Sequence, residues 1–278
     1  MGTEKYFGDK KGGLFLKVRV ALAQIPNTAD IVQNKESILK HLQMVEKHQP
    51  DLVLFPECAL SGFSTAVLDM CFQSCKSAVE EIKEWTRHGS ATVVLPTAWP
   101  ENFGVLNAGF ILRNGRILGE FFKEGLTESE RQLFMVPKRE NGRMFSVRGV
   151  RFAMLICAEA QKRAWEYFDQ GSADVILWPG YWRWKKEDCW SSKSRNKEND
   201  LVHMNVRLWR VPLLQANFCF NDKSDQRKLS PEGRSVIIDG ANCHRHSAPA
   251  LKSSGSIVEL VQEGDGARVL KCFDYIVH

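Results

Sequence analysis

Three apolar runs of the chain end on side chains with reactive chemistry: "DLVLFPE" on Glu57, "RILGEFFK" on Lys123 and "RFAMLIC" on Cys157. A carboxylate, an amine and a thiol brought together form a nucleophilic set. The thiol attacks a carbon bonded to nitrogen or oxygen, and the carboxylate takes the thiol proton and returns it to the leaving amine. The ammonium, with a backbone N–H beside the cysteine, holds the developing oxyanion; one such donor is worth roughly 3 kcal/mol in comparable sites. Cys157 also precedes a segment that reads as a helix, whose N-terminal dipole and free N–H groups favour the thiolate. Singly, these residues are ordinary, since most thiols after an apolar run are inert core residues. Together they stand where layered α/β proteins gather ligands, at the carboxyl ends of strands.

The elements that must position them follow from periodicity. "VRVALAQI" (18–25) reads as a strand, and 29–48 as a helix with Ile31, Ile38, Leu42 and Val45 inward. The run 51–57 is a strand bounded by Pro50 and Pro56, followed by a helix around 77–88 and a strand at 91–96. Two β-like runs flank Asn114-Gly115 within 107–123, the strongest short hairpin signal. Further strand-like runs occupy 145–157, and the pattern predicts a helix over about 159–170 that stops at Gly171. Strands at 173–180, 211–218 and 235–239 and a helix near 200–210 complete the reading. The strands are too many for one sheet, so the expectation is a sandwich of two sheets with helices outside. Residues 1–13, polar and Gly-rich, read as a mobile tail, leaving 14–278 as one domain.

Composition narrows the function classes. A hydrophobic fraction of 44% and a charged fraction of 26% are those of a soluble globular protein. No apolar run approaches the ~20 residues that span a bilayer. The net charge of +5 is spread among acidic residues rather than concentrated, which argues against a nucleic-acid partner. The opening "MGTEKYFGDKKGG" lacks the apolar core of a secretion signal, and Tyr6 stands where a myristoylation motif needs Ser or Thr. Eight cysteines in a chain this long then read as reduced thiols of a cytoplasmic protein.

The pieces around the three residues resemble the nitrilase superfamily of carbon–nitrogen hydrolases. The matching stretches are "VALAQI", "DLVLFPECALSGF" around Glu57, "GEFFKEGLTESERQLF" around Lys123, "LICAEA" around Cys157 and "VPLLQANF". The resemblance implies a four-layer α-β-β-α sandwich, with Glu57 as general base, Lys123 as electrophile and Cys157 as nucleophile. It implies that Glu130, in "LTESERQLF", is a second carboxylate orienting the lysine or the attacking water, and that the N–H of Ala158 completes the oxyanion hole. The chain departs from the pattern after the cysteine: Ala158 replaces an aromatic residue and Gln161 an arginine, while the acid is kept as Glu159. A second departure is "IIDGANCHRHSAPA", which stands where the pattern has an Asp-Pro-x-Gly turn.

The activity implied is hydrolysis of a small amide or carbamoyl amide through a thioester, without metal or cofactor, by a homodimer or larger homo-oligomer. Branches that draw glutamine ammonia into NAD synthesis carry a fused synthetase domain, and this chain is too short to hold one. The lipoprotein acyltransferase branch needs membrane helices. Two rivals remain open: a catalytically silent binding or scaffold protein of the same fold, and amide or acyl transfer through the same thioester. For the substrate, "WPGYWRWKKEDCW" offers Tyr181 and Trp182 as an aromatic pocket wall. Arg183, Lys185 and Lys186 read first as solvated charges, with a basic rim for a carboxylate-bearing amide behind that, and nucleic-acid stacking last. Cys71 and Cys75, four apart, would share a helix face. These, with Cys243, His244 and His246, match no standard zinc spacing and read as buried thiols and surface histidines.

Overall fold

The structure, a computed structural model, describes residues 17–182, 197–219, 235–239, 245–247, 254–263 and 266–277. The expected tail at 1–13, the charges at Arg183, Lys185 and Lys186, and the pair Cys243 and His244 lie outside the described residues.

Strands β1 (Lys17–Gln24), β2 (Leu52–Leu54), β3 (Thr92–Glu101), β4 (Gly104–Arg113) and β5 (Arg116–Phe122) lie side by side in one sheet. The second sheet holds β6 (Met144–Val147), β7 (Val150–Met154), β8 (Val175–Pro179), β9 (Leu213–Ala216), β10 (Val236–Ile238) and β11 (Arg245–Ser247). The chain then returns to the first sheet with β12 (Ser254–Glu263) and β13 (Gly266–Ile276), giving the order β13-β12-β1-β2-β3-β4-β5. Both sheets are parallel at the centre, β1-β2-β3 and β7-β8-β9, and antiparallel outside.

Alternation along the strands builds the layers. In β1, Val18, Val20 and Leu22 point between the sheets, while Ala21 and Ala23 point under α1 (Ile31–Glu46) and α2 (Phe72–Trp85). Leu52 and Leu54 of β2 take the first side and Val53 the second. Asp30 caps α1 by accepting from the N–H groups of Val32 and Gln33, and Ile38, Leu42 and Val45 are buried at helical spacing. On the far side α3 (Lys197–Trp209) inserts Val202 and Val206 into the core of the second sheet. The result is the four-layer α-β-β-α sandwich expected.

Several expectations need correction. The helix predicted over 159–170 is two short 3₁₀ turns, Cys157–Gln161 and Ala164–Glu166, although Gly171 does adopt a left-handed φ of 78° after them. Asn205 of α3 explains the break, because its Nδ2 donates to the carbonyls of both Ala160 and Lys162 at 3.0 Å. α2 begins five residues before the predicted start, with Cys71 as its exposed cap. Cys75 is buried against Thr97 and Ala98, so the two thiols do not share a surface. The Asn114-Gly115 hairpin forms as predicted, both residues taking positive φ (51° and 69°), and Arg148-Gly149 repeats the turn between β6 and β7. Among the described residues no helix is long and apolar enough to cross a membrane.

Candidate active site

Glu57, Lys123 and Cys157 follow the carboxyl ends of β2, β5 and β7 within three residues. β5 pairs antiparallel with β4, β4 antiparallel with β3, and β3 parallel with β2, so β2 and β5 run the same way and finish on one edge. All three residues are buried: Glu57 and Lys123 are 0% exposed and Cys157 is 8% exposed.

Lys123 Nζ lies 2.9 Å from Glu57 Oε1 and 2.5 Å from Glu130 Oε1. Glu130, which the family resemblance singled out, is therefore brought onto the lysine, and its other oxygen accepts the Thr127 N–H at 2.8 Å. Burial works against the Lys123 ammonium, but the Glu57 and Glu130 carboxylates bonded to it outweigh that cost and hold its pKa well above the ordinary lysine value. The lysine is a fixed cation.

Glu57 is raised above the usual carboxylate range, first by burial and then by the Glu130 charge, with Lys123 pulling the other way. Its Oε1 is doubly used, accepting from Lys123 and from Asn107 Nδ2 at 2.8 Å. Its Oε2 is buried and has no hydrogen-bond partner among the described residues. An oxygen with that much unspent basicity suits a proton acceptor.

Cys157 adopts φ of 46°, a left-handed conformation that costs a non-glycine residue about 1–2 kcal/mol. Such a conformation persists only when surrounding structure imposes it. Here Trp178 Nε1 donates to the Cys157 carbonyl at 2.8 Å, and the Ile156 N–H before it donates to Glu159 Oε2 at 2.8 Å. The thiol points at the Tyr181 carbonyl, 3.8 Å away. Burial and the Glu57 charge push the thiol pKa well above the ordinary cysteine value. The helix expected to favour the thiolate is corrected to a five-residue 3₁₀ turn, so burial and the Glu57 charge, which favour the protonated thiol, are not offset by a helix dipole.

The two aromatic residues expected to line a pocket have different settings. Tyr181 is half-buried, stacked on Phe63 with centroids 4.9 Å apart and edge-on to Phe218. Trp182 is 7% exposed and packs against Trp178 beneath the cysteine turn, its backbone N–H and carbonyl both clasped by the Asn217 amide. Ala158 follows Cys157 and is half-buried.

Sequence reasoning missed Asn107, Trp178 and Arg143. Asn107 had a weak signal, as a lone amide inside the apolar β4 strand. Trp178 stood only as one more apolar residue of the run at 173–180. Arg143, 3% exposed, faces Glu159 from the start of β6; the cation meeting that acid comes from here, whereas the pattern's arginine position holds Gln161.

Comparison with known proteins finds the same fold elsewhere. A glutamine-dependent NAD(+) synthetase of Xylella fastidiosa is 26% identical over 271 residues, covering 89% of this chain and 45% of the synthetase. The structure of the glutamine-dependent NAD+ synthetase of Acinetobacter baumannii superposes with a TM-score of 0.72 at 18% identity, over 92% of this chain and 48% of that one. An amidase from Nesterenkonia sp. superposes with a TM-score of 0.70 at 16% identity, over 91% and 90% of the two chains. The chain thus spans about half the length of the synthetases it matches and nearly all of the amidase. Residues 19–240 match the carbon-nitrogen hydrolase family, and the chain belongs to that family.

Proposed function

We propose that the chain is a cysteine-dependent amidase that releases ammonia from a small primary amide through a thioester. The observation carrying this reading is the buried, unpartnered Glu57 Oε2, in a cluster where Lys123 is a permanent cation and Cys157 is a protonated thiol. Glu57 Oε2 takes the thiol proton as the sulfur bonds to the amide carbon. Lys123 and the Ala158 N–H stabilise the oxyanion that forms. Glu57 returns the proton to the amide nitrogen, the C–N bond breaks, and ammonia leaves a thioester on Cys157. Water, giving its proton to Glu57, then adds to the thioester, and cleavage of the C–S bond restores the thiol and frees a carboxylic acid. Glu130 keeps the lysine aimed throughout, and Tyr181 with Phe63 walls the acyl group. The Nesterenkonia amidase supports the reading by analogy, since a variant of it carries acrylamide added at its active site cysteine.

Glutamine is the amide favoured by a second observation. Chain length had set aside the branch that uses glutamine ammonia for NAD synthesis, yet the synthetase relatives bring that branch back. The test is ammonia release from a panel of aliphatic amides, glutamine, other ω-amides and carbamoyl amines. Release from at least one primary amide is expected. Silence across the panel, with Cys157 intact and the protein folded, would sink the amidase reading.

The pH profile is a separate check on the base. Catalysis needs Glu57 ionised, so kcat/KM falls as pH drops through its pKa. Because burial raises that pKa, the acid limb is expected at a pH above the ~4.3 of an ordinary glutamate. A limb at or below that value would mean that some other group accepts the proton.

A further inference from the structure

Lys123 and Cys157 sit on different sheets, β5 in the first and β7 in the second, and among the described residues no strand ladder joins those sheets; the bonds that cross between them elsewhere, Cys219 N–H to the Ile25 carbonyl, Gly142 N–H to the Glu120 carbonyl and Ser235 N–H to Gln24 Oε1, end on other residues. Between the sheets the packing is apolar, and apolar contact has no preferred direction. A directional contact at the two strand ends themselves would set the distance between the amine and the thiol. We propose that the buried pair Arg143–Glu159 is the positioning device that registers Lys123 against Cys157. This rests on the reading of those two residues as catalytic.

The two oxygens of Glu159, itself 0% exposed, serve different strand ends. Oε2 accepts the N–H of Ile156 at 2.8 Å, the residue immediately before the nucleophile. Oε1 accepts the N–H groups of Glu124 and Gly125 at 2.9 and 3.0 Å, the two residues immediately after the lysine. Arg143 repeats the bracket from the other side. Its Nη1 donates to the Met154 carbonyl at 3.0 Å and to Glu159 Oε2 at 3.2 Å, and its Nη2 reaches the Phe122 carbonyl at 3.2 Å and Glu124 Oε2 at 2.7 Å. Lys123 is thus pinned through residues 122, 124 and 125, and Cys157 through residues 154 and 156, by one ion pair.

Two features argue that position, rather than mere cohesion, is what the pair supplies. A buried ion pair is often replaceable by apolar residues without loss of stability, so stability alone gives little reason for one here. The Cys157 turn, moreover, is held at a left-handed φ that relaxes if the Ile156 N–H is released. The fit is close: a Cβ on Gly125 would stand 2.9 Å from Glu159 Cγ and 2.5 Å from Tyr167 Oη, so only glycine lets that N–H reach the carboxylate. Arg143 is fixed over the Tyr167 ring at 4.7 Å, which seats the guanidinium from its open side.

Glu159→Gln is the direct test. One of its two terminal atoms becomes an NH2, so either the Ile156 N–H or the Glu124 and Gly125 pair then meets a donor. Turnover of the best amide is measured per active site, with sites counted by alkylation of Cys157 and the alkylation rate followed with iodoacetamide. Misplacement of about 1 Å costs on the order of a hundredfold in rate. The expected result is a kcat lowered about a hundredfold with KM within about threefold, and Cys157 alkylation slowed about tenfold. Arg143→Met should behave alike, and Arg143→Lys should recover at least about a tenfold share of the loss. Should Glu159→Gln fail to fold, the Arg143→Met and Arg143→Lys pair decides by the same readouts. If wild type turns over no amide, the amidase reading fails, and the alkylation rates alone then test the positioning. Unchanged kcat per site and unchanged alkylation in the variants, whatever happens to Tm, would overturn the proposal.

Discussion

Cys157→Ala is expected to abolish ammonia release, by roughly 10⁴-fold or more, while leaving a folded protein. The activity argument is that every later step runs through the sulfur. Without it Glu57 Oε2 has no thiol proton to accept, and direct attack by water must proceed with only the oxyanion donors and substrate binding to help. The stability argument points the other way. Among the described residues the thiol has one polar contact, the 3.8 Å approach to the Tyr181 carbonyl, and the turn is held by backbone bonds to Trp178 and Glu159 that alanine keeps. A change of about 1 kcal/mol is therefore expected in denaturant unfolding. Mass spectrometry of the wild type, quenched during turnover, should show the acyl group on the peptide bearing Cys157 and on no other. Appreciable ammonia release by the alanine variant would refute the covalent mechanism outright.

How much of this was legible in the sequence depends on how local each cause is. The three strand ends were readable because each apolar run stops abruptly on its polar residue, and the hairpin at Asn114-Gly115 was readable because its dihedral demand is met by two adjacent residues. The helix predicted over 159–170 failed for a non-local reason. "AEAQKRAWEYFDQ" has ordinary helix propensity, yet Glu159 turns inward to bind N–H groups 34 and 35 residues away, and Asn205 takes two carbonyls 43 and 45 residues back along the chain. Those tertiary bonds outbid the i→i+4 ladder. The same distance hid the supporting residues: Asn107 meets Glu57 across 50 positions and Trp178 meets Cys157 across 21. Glu130 was reachable only through resemblance, because its spacing of seven from Lys123 fits a solvated surface acid equally well. The raised pKa of the Cys157 thiol turns on burial and on the nearby Glu57 charge, neither of which a short motif displays.

Lys123→Met should lose activity and also change how stability depends on pH. Removing the ammonium takes away the oxyanion donor, a loss of roughly 10²–10³-fold in kcat. It also leaves Glu57 and Glu130, both buried and both bonded to the same Nζ in the wild type, facing each other without a counter-charge. Breaking a buried ionic cluster by removing one partner costs about 3–5 kcal/mol. Part of that cost is escaped by protonation of Glu57, whose affinity for a proton is already raised by burial and by the Glu130 charge and is no longer lowered by Lys123. In the unfolded chain Glu57 titrates near ~4.3, and in the folded variant it titrates higher. The folded state then binds more protons than the unfolded state between those values, so stability is present below about pH 4.3 and drains away as pH rises through the raised pKa of Glu57. The variant is therefore expected to resist urea better near pH 5 than near pH 7.5, with the deficit against wild type widening as pH rises. A deficit that stayed constant across that pH range would show that Lys123 contributes by packing alone, and that the two glutamates are not the charges it neutralises.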